Sequence, residues 1–298
     1  MLQNSILLTG ASGFVGINLI EKLKGNFYVK KHKRNSPIII NENIVIHLAG
    51  KAHDLKNDSI STEYYKINTD LTKNIFDSFL NSNAKIFITI STVKAVADIV
   101  IGKLTEDHIP NPLTHYGKSK YLAEQYILSK SIPVGKRVFI LRPCMIHGPK
   151  NKGNLNLLYK IVCKGLPWPL GAFENKRSYC SIDNLCFIIQ ELINNHDIPN
   201  GIYNVADDES ISTNDLISLI AESKYRKPII WNISKIFIQF LAIIGDKVKL
   251  PLNSERLQKL TQSYVVSNEK IKAVIGKPLP YTTREGLLKT FNTFNSND

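Results

Sequence analysis

Three glycines at positions 10, 13 and 16 constrain this chain more than any other feature. They sit in Thr9-Gly10-Ala11-Ser12-Gly13-Phe14-Val15-Gly16. An apolar β-like run, Ser5–Thr9, precedes them, and helical spacing at Phe14, Ile17, Leu19, Ile20 and Leu23 follows. In a strand, glycine turn and helix of this kind, the backbone can approach a pyrophosphate. The helix N-terminus then offers that anion free N–H groups and a positive dipole end. The Gly-x-x-Gly-x-x-Gly spacing differs from the Gly-x-Gly-x-x-Gly of ordinary dinucleotide dehydrogenases. We read Gly10, Ser12, Gly13, Phe14, Val15 and Gly16 as a nucleotide-binding turn.

Further β-like runs occur at Phe27–Lys31, Ile44–Ala49, Lys85–Ile90 and Arg137–Leu141, with helical stretches at Thr62–Leu80 and Tyr116–Ser129. This alternation predicts an α/β fold, a Rossmann-type doubly wound parallel sheet. After Pro149 the pattern changes to helical stretches at Leu155–Lys164, Ile182–Asn194 and Asp215–Ala221, with a short strand at Ile202–Val205. The expected division is a dinucleotide-binding domain over 1–150, with a return segment near 178–210, and a smaller, mostly helical substrate lobe over 151–298. The most apolar segment, Ile229–Gly245, reads as a core or groove helix, with a membrane-surface helix as the alternative.

Composition removes several classes. The 298 residues carry a net charge of +13, yet the basic residues are scattered and no zinc-finger or RNP-like pattern is present. No nucleic-acid partner is expected. No apolar stretch is long enough for a membrane span, and Met1–Gly10 lacks a basic signal-peptide start. Cys144, Cys163, Cys180 and Cys186 form no Cys-x-x-Cys pair, and the histidines lack ligand spacing, so no metal is expected and the thiols fit a reducing cytoplasm.

The second β-like run ends in Lys30-Lys31-His32-Lys33-Arg34, and no acid lies between Glu21 and Glu42. An acid in this region would hold a ribose 2′-OH, whereas Lys33 and Arg34 would pair with a 2′-phosphate. NADP is therefore expected ahead of NAD, with a solvated basic turn as the alternative.

Taken in order, TGASGFVG, His47-Leu48-Ala49-Gly50, Ser91-Thr92, Tyr116-Gly117-Lys118-Ser119-Lys120 and Leu141-Arg142-Pro143 resemble the extended short-chain dehydrogenase/reductase group. More narrowly, they resemble the NAD-dependent epimerase/dehydratase family acting on nucleotide sugars. The resemblance implies Thr92, Tyr116 and Lys120 as catalytic residues. It places Leu48, Ala49, Gly50, Asn68, Ser91, Pro143, Tyr116 and Lys120 at the cofactor. Thr92, Asn154, Arg177 and Arg256 resemble groups that hold the substrate, the last three at its diphosphate. Asp183 resembles a structural acid, and Trp168 reads as a core or turn aromatic.

Tyr126 and Lys130 repeat the Tyr-x3-Lys spacing. Ten residues further along a helix is about 280° round, so Tyr126 faces elsewhere. Tyrosine is a poor base at neutral pH, and a lysine one turn away is expected to lower its pKa. Some features depart from the family. Positions 31–43 leave little room for the usual strand and helix, the acid near the end of the middle strand is missing, and His147 stands where tyrosine is common.

The resemblance implies an oxidoreductase acting at C4 of a UDP-hexose or UDP-N-acetylhexosamine. A 4-keto-sugar reductase in surface polysaccharide precursor synthesis is favoured. The alternatives are a 4-epimerase with tightly bound NAD, a dehydratase, and a non-catalytic redox-sensing protein. A homodimer through the Tyr116–Ser129 helix is the expected assembly.

Overall fold

Leu7, Val45, Phe87 and Val138 form one row across four neighbouring strands, β1 (Ser5–Thr9), β3 (Ile44–His47), β4 (Ile86–Ile90) and β6 (Arg137–Pro143). With β2 (Tyr28–Lys31) on one edge and β9 (Gly201–Val205) on the other, they make a six-stranded parallel sheet in the order β2-β1-β3-β4-β6-β9. The computed structural model describes residues 5–52, 61–149, 151, 154–248 and 253–294.

Side chains alternate between the two faces of a strand, so the row and its neighbours feed opposite layers. Leu7, Val45, Phe87 and Val138 pack on Ile75, Phe76 and Phe79 of α3 (Leu71–Leu80) and Ile127 of α4 (His115–Leu128). Ile6, Leu8, Ile46, Ile88 and Leu141 pack on Leu19 and Leu23 of α1 (Phe14–Leu23) and on Leu185, Ile188 and Leu192 of α6 (Ile182–Asn194). The sheet is buried on both faces, which explains its continuous apolar runs.

The helix expected over 62–80 is continuous but irregular. A short α2 (Ser61–Tyr64) passes through one π turn (Tyr65–Asp70) into α3. No helix joins β2 to β3. Asn35 adopts a left-handed φ of 64° in a turn, and Ile38 and Ile40 then pack on the α3 side of the core. Two isoleucines thus cover the area where the short connection leaves no room for a helix.

The rest of the chain builds a second apolar cluster from α5 (Asn154–Cys163), α7 (Thr213–Glu222), α8 (Lys235–Val248), α9 (Ser254–Thr261) and α11 (Thr283–Asn292). Trp168 is buried in it, consistent with the core reading. Two small parallel pairings stitch this region to the sheet: β5 (Lys103–Leu104) with β10 (Val265–Val266), and β7 (Met145–His147) with β8 (Tyr179–Ser181). A short α10 (Glu269–Ile275) packs beside β9. Asp183 pairs with Lys22 and Lys289 at 2.8 and 2.7 Å, tying α1, α6 and α11 together, a structural duty. His147 meets Thr290 at 2.9 Å and Asp207 at 3.4 Å inside the core, linking β7 to α11.

The α8 helix corrects the expectation for Ile229–Gly245. It is a helix, but only Ile238, Ala242 and Gly245 are buried. It is neither a core helix nor enclosed in a groove.

Candidate active site

At Gly10 the chain turns from β1 toward α1 with φ +69°. A Cβ there would lie 2.6 Å from the Ala49 nitrogen and from the Leu48 carbonyl carbon. At Gly16 a Cβ would lie 2.4 Å from the Gly10 oxygen. Only hydrogen fits at either place, so the loop lies flat on the end of β3. Gly13 caps α1 without a side-chain hydrogen bond. The first-turn N–H groups are therefore left for a ligand.

This loop forms one wall of a cavity of about 1050 Å³. Gly10, Ser12, Gly13, Phe14, Val15 and Gly16 line it, together with Leu48, Gly50, Ser91, Thr92, Tyr116, Lys120, Pro143 and Arg177. The uncapped helix and the two positions that exclude a Cβ fit a dinucleotide diphosphate. The residues able to hold such a cofactor are present.

The opposite wall is built where β4 ends against α4. Thr114 caps α4, accepting from the Gly117 N–H at 3.2 Å, and this sets Tyr116 at the helix start. Gly117 has its own reason: a Cβ there would lie 2.4 Å from the Lys94 carbonyl oxygen. Close approach to Lys94 brings Tyr116 to the same wall as Thr92, whose hydroxyl acts to lower the pKa of the phenol. Lys120, one turn on, donates to the Ile90 carbonyl at 2.8 Å. Burial holds its pKa down to about 8, partly opposed by Glu124.

Burial also raises the Tyr116 phenol above its ordinary value, outweighing the opposing influence of the Thr92 hydroxyl. This corrects the expectation of a lowered pKa. Desolvation wins because a phenolate in this wall would lose water without gaining a contact with an ammonium. Lys120 is directed at a backbone carbonyl instead.

Ser91 differs from Thr92 in its partner. Its hydroxyl donates to Glu124, which also accepts from Arg142 at 3.0 and 2.5 Å, all three buried. Glu124 and Arg142 were not singled out by sequence reasoning as site residues, although Arg142 lies in the Leu141-Arg142-Pro143 motif. Lys94, Tyr179 and Tyr264 line the cavity too. The Lys94 ammonium lies 4.2 Å from the Tyr264 ring centre and donates to the Asp98 carbonyl at 2.8 Å. Lys94 was legible in STVKAV, whereas nothing local marks Tyr264.

Other expected residues lie elsewhere. Asn68, buried in the π turn, bonds the Lys51 backbone at 2.8 and 3.0 Å and Ser119 at 2.9 Å. It braces the cavity wall without lining it, and Ala49 likewise sits behind it. Lys33 and Arg34 occupy an exposed turn and Arg256 an exposed first turn of α9, none of them at the cavity. Asn154 begins α5, and its side chain lies outside the described residues. Arg177 lines the cavity while donating to the Gln262 and Lys259 carbonyls at 3.0 and 2.5 Å. Tyr126 donates to Asp77 of α3 at 2.7 Å, away from the cavity.

The sequence profile of the NAD dependent epimerase/dehydratase family matches residues 39–206. The chain belongs to that family. As a member of the NAD-dependent epimerase/dehydratase family it is an enzyme, and the family relationship accounts for the dinucleotide cradle. It is 30% identical to a UDP-glucose 4-epimerase of Vibrio cholerae, across 98% of this chain and 96% of that one. It is 26% identical to an N-acetyl-alpha-D-glucosaminyl-diphospho-ditrans,octacis-undecaprenol 4-epimerase of Escherichia coli O157:H7, across 97% and 95%. In fold it is similar to UDP-glucuronic acid 4-epimerase from Bacillus cereus in complex with NAD, with TM-score 0.74, 19% identity and coverage of 97% and 98%. It is also similar to UDP-glucose 4-epimerase with UDP-glucose from Thermotoga maritima, with TM-score 0.73, 20% identity and the same coverage.

Proposed function

We propose that this enzyme is a 4-epimerase of a UDP-linked hexose or N-acetylhexosamine that retains NAD between turnovers. The observation that carries the reading is the single cavity with Thr92, Tyr116 and Lys120 on one wall and the uncapped glycine loop on the other. The 30% likeness to a UDP-glucose 4-epimerase over nearly the whole chain supports it.

Bound in the cradle, the nicotinamide supplies a hydride acceptor and donor for C4. The protein must move the hydroxyl proton and hold the sugar. Tyr116 is the acid and base at the C4 oxygen. Its raised pKa keeps the phenol protonated at rest, so a proton is in place for the strongly basic oxygen that develops as a 4-keto carbon is reduced. Taking the proton back needs positive charge, and the Lys120 ammonium one turn on is the group that would supply it on leaving the Ile90 carbonyl. Thr92, on the same wall of the cavity, orients the same oxygen through its hydroxyl. Arg177 meets the substrate diphosphate, assisted by Asn154 in the lobe formed by 151–298, whereas Arg256 lies away from the cavity.

A 4-keto-sugar reductase using NADP is the second reading. The basic end of β2, with no acid between Glu21 and Glu42, favours it. Lys33 and Arg34 outside the cavity weigh against it, as does the pairing of Lys30 with Glu42 at 2.9 Å. Mass spectrometry of cofactor released from the purified protein tests the choice. Retained NAD supports the epimerase. Empty sites that fill with NADPH support the reductase.

We further propose a homodimer through α4, where Leu122 and Leu128 are exposed. Cys144, Cys163, Cys180 and Cys186 are free thiols, which supports a reducing, cytoplasmic setting.

A further inference from the structure

At about 100° per residue, Ile236, Phe237, Phe240, Ile243, Ile244 and Val248 fan over an arc of about 140° on α8. All six are exposed. The opposite stripe, Ile238, Ala242 and Gly245, packs inward. On the side between them, Asp246 accepts from the Ser254 N–H and hydroxyl at 2.9 and 2.6 Å, fastening α8 to α9. The extended segment before the helix is fixed by Trp231 bonding to the Trp168 carbonyl at 2.9 Å. It exposes Ile229 and Trp231 on its outside. A soluble monomer gains nothing from presenting so many large apolar groups side by side.

The charge around this face says what covers it. Between 224 and 249 the basic residues are Lys224, Arg226, Lys227, Lys235, Lys247 and Lys249, and Asp246 is the single acid, already bonded to Ser254. Lys227, Lys235 and Lys247 are exposed. Lys235 and Lys247 sit at the two ends of α8, the latter within the apolar arc, and lysines at the ends of such a face can extend their ammonium groups to a phosphate layer while their stems lie on hydrocarbon. The helix has 14 residues, and among the described residues no helix is long and apolar enough to cross a membrane. A short helix with a broad apolar face and basic flanks lies in the plane of a bilayer interface.

We propose that α8 and the segment entering it dock this enzyme on an anionic lipid bilayer. The docked face lies one helix away from the cavity. Arg177, which lines the cavity, is held by carbonyls of Lys259 and Gln262 at the end of α9, and α9 is fastened to α8. A chain of contacts thus runs from the docked helix through α9 to Arg177 at the cavity. The proposal concerns this surface and stands whichever C4 reaction the cavity performs.

Sedimentation of the purified full chain with vesicles tests it. Vesicles of phosphatidylglycerol and phosphatidylethanolamine should carry the protein down, vesicles of phosphatidylcholine far less, and added salt should weaken the binding. Phe237→Ser with Phe240→Ser should lower partitioning about tenfold or more. Lys235→Gln with Lys247→Gln should lower it about fivefold per lysine, on anionic vesicles only. Turnover in solution should match wild type in both variants, which shows that they are folded. The proposal fails if wild type ignores anionic vesicles, or if the phenylalanine pair can be replaced without effect on binding. It also fails if light scattering shows that pair holding two copies together while vesicles bind neither form, since the face then belongs to a second copy of the chain.

Discussion

Lys120 donates to the Ile90 carbonyl at 2.8 Å, one helical turn beyond Tyr116. The ammonium is thus anchored at the end of β4, on the same cavity wall as the phenol that it is proposed to serve. Its charge is easily lost there, because burial lowers its pKa from 10.5 to about 8.

That shift predicts two opposite trends with pH. Between about 8 and 10.5 the unfolded chain keeps the lysine proton and the folded chain has released it. This group therefore makes unfolding harder as pH rises through that window. Over the same window the positive charge proposed to serve the Tyr116 phenolate during turnover disappears, so kcat should fall. Denaturation midpoints and kcat measured in parallel from pH 7 to 10 check both. Undiminished turnover at pH 10 would remove the Lys120 charge from the mechanism.

Tyr116→Phe should retain fold and cofactor binding but lose about 10²–10⁴-fold in kcat, the usual contribution of a proton-transfer group. Tyr126→Phe is the matched control. It loses its bond to Asp77 on the far side of α4, and turnover should stay within about twofold of wild type. Near-normal turnover in Tyr116→Phe would sink the assignment.

Gly16→Ala should be costly for a methyl group. The added carbon meets the Gly10 oxygen at 2.4 Å and the Ala11 Cα at 2.8 Å, both backbone atoms that cannot swing aside. Overpacking of this kind costs about 1–3 kcal/mol. The loop that must move is the cofactor cradle, so dinucleotide affinity, read by calorimetry, should drop more than the thermal midpoint suggests.

Glu124→Gln should destabilise by about 3–5 kcal/mol, the cost of stranding the buried Arg142 guanidinium. Glu124→Leu combined with Arg142→Met should cost less than the single change, because no unpaired charge is left. Urea denaturation of the three proteins decides this. Equal losses for the single and double variants would mean that Ser91 and packing, rather than the ion pair, set the value.

Replacing Lys33 and Arg34 together with glutamine should leave the NADPH/NADH preference within about twofold, since neither residue lines the cavity. A selective loss of NADPH affinity of about tenfold, equivalent to 1.4 kcal/mol, would favour the reductase instead. Titration of each cofactor in the two proteins checks this.

The sheet and its two helical layers were legible because each strand is a short apolar run between turn signals, and the runs recur with helices between them. The Ser5–Thr9 strand and the Ile182–Asn194 helix have the same limits in sequence and structure. The pairings β5 with β10 and β7 with β8 were not legible. They involve two or three residues each and exist only because distant segments meet there. The π turn was hidden for a similar reason. Its width is set by Asn68 reaching Lys51 and Ser119, not by local propensity.

By itself the sequence determined the glycine loop, the Tyr-x3-Lys pair and the choice of Tyr116 over Tyr126, because spacing and helical period are local properties. Tertiary structure decided what those residues experience. It set Tyr116 and Lys120 in a wall where desolvation governs their proton affinities, and it bonded Ser91 to a buried carboxylate, leaving Thr92 beside the phenol. It also decided which side of an apolar helix faces inward. In α8 the tightly packed stripe is Ile238, Ala242 and Gly245, two of them the smallest residues available, and the large side chains are left outside. Hydrophobicity counts apolar residues but carries no direction. The direction comes from which stripe lets two backbones approach most closely, and that depends on the partner surface.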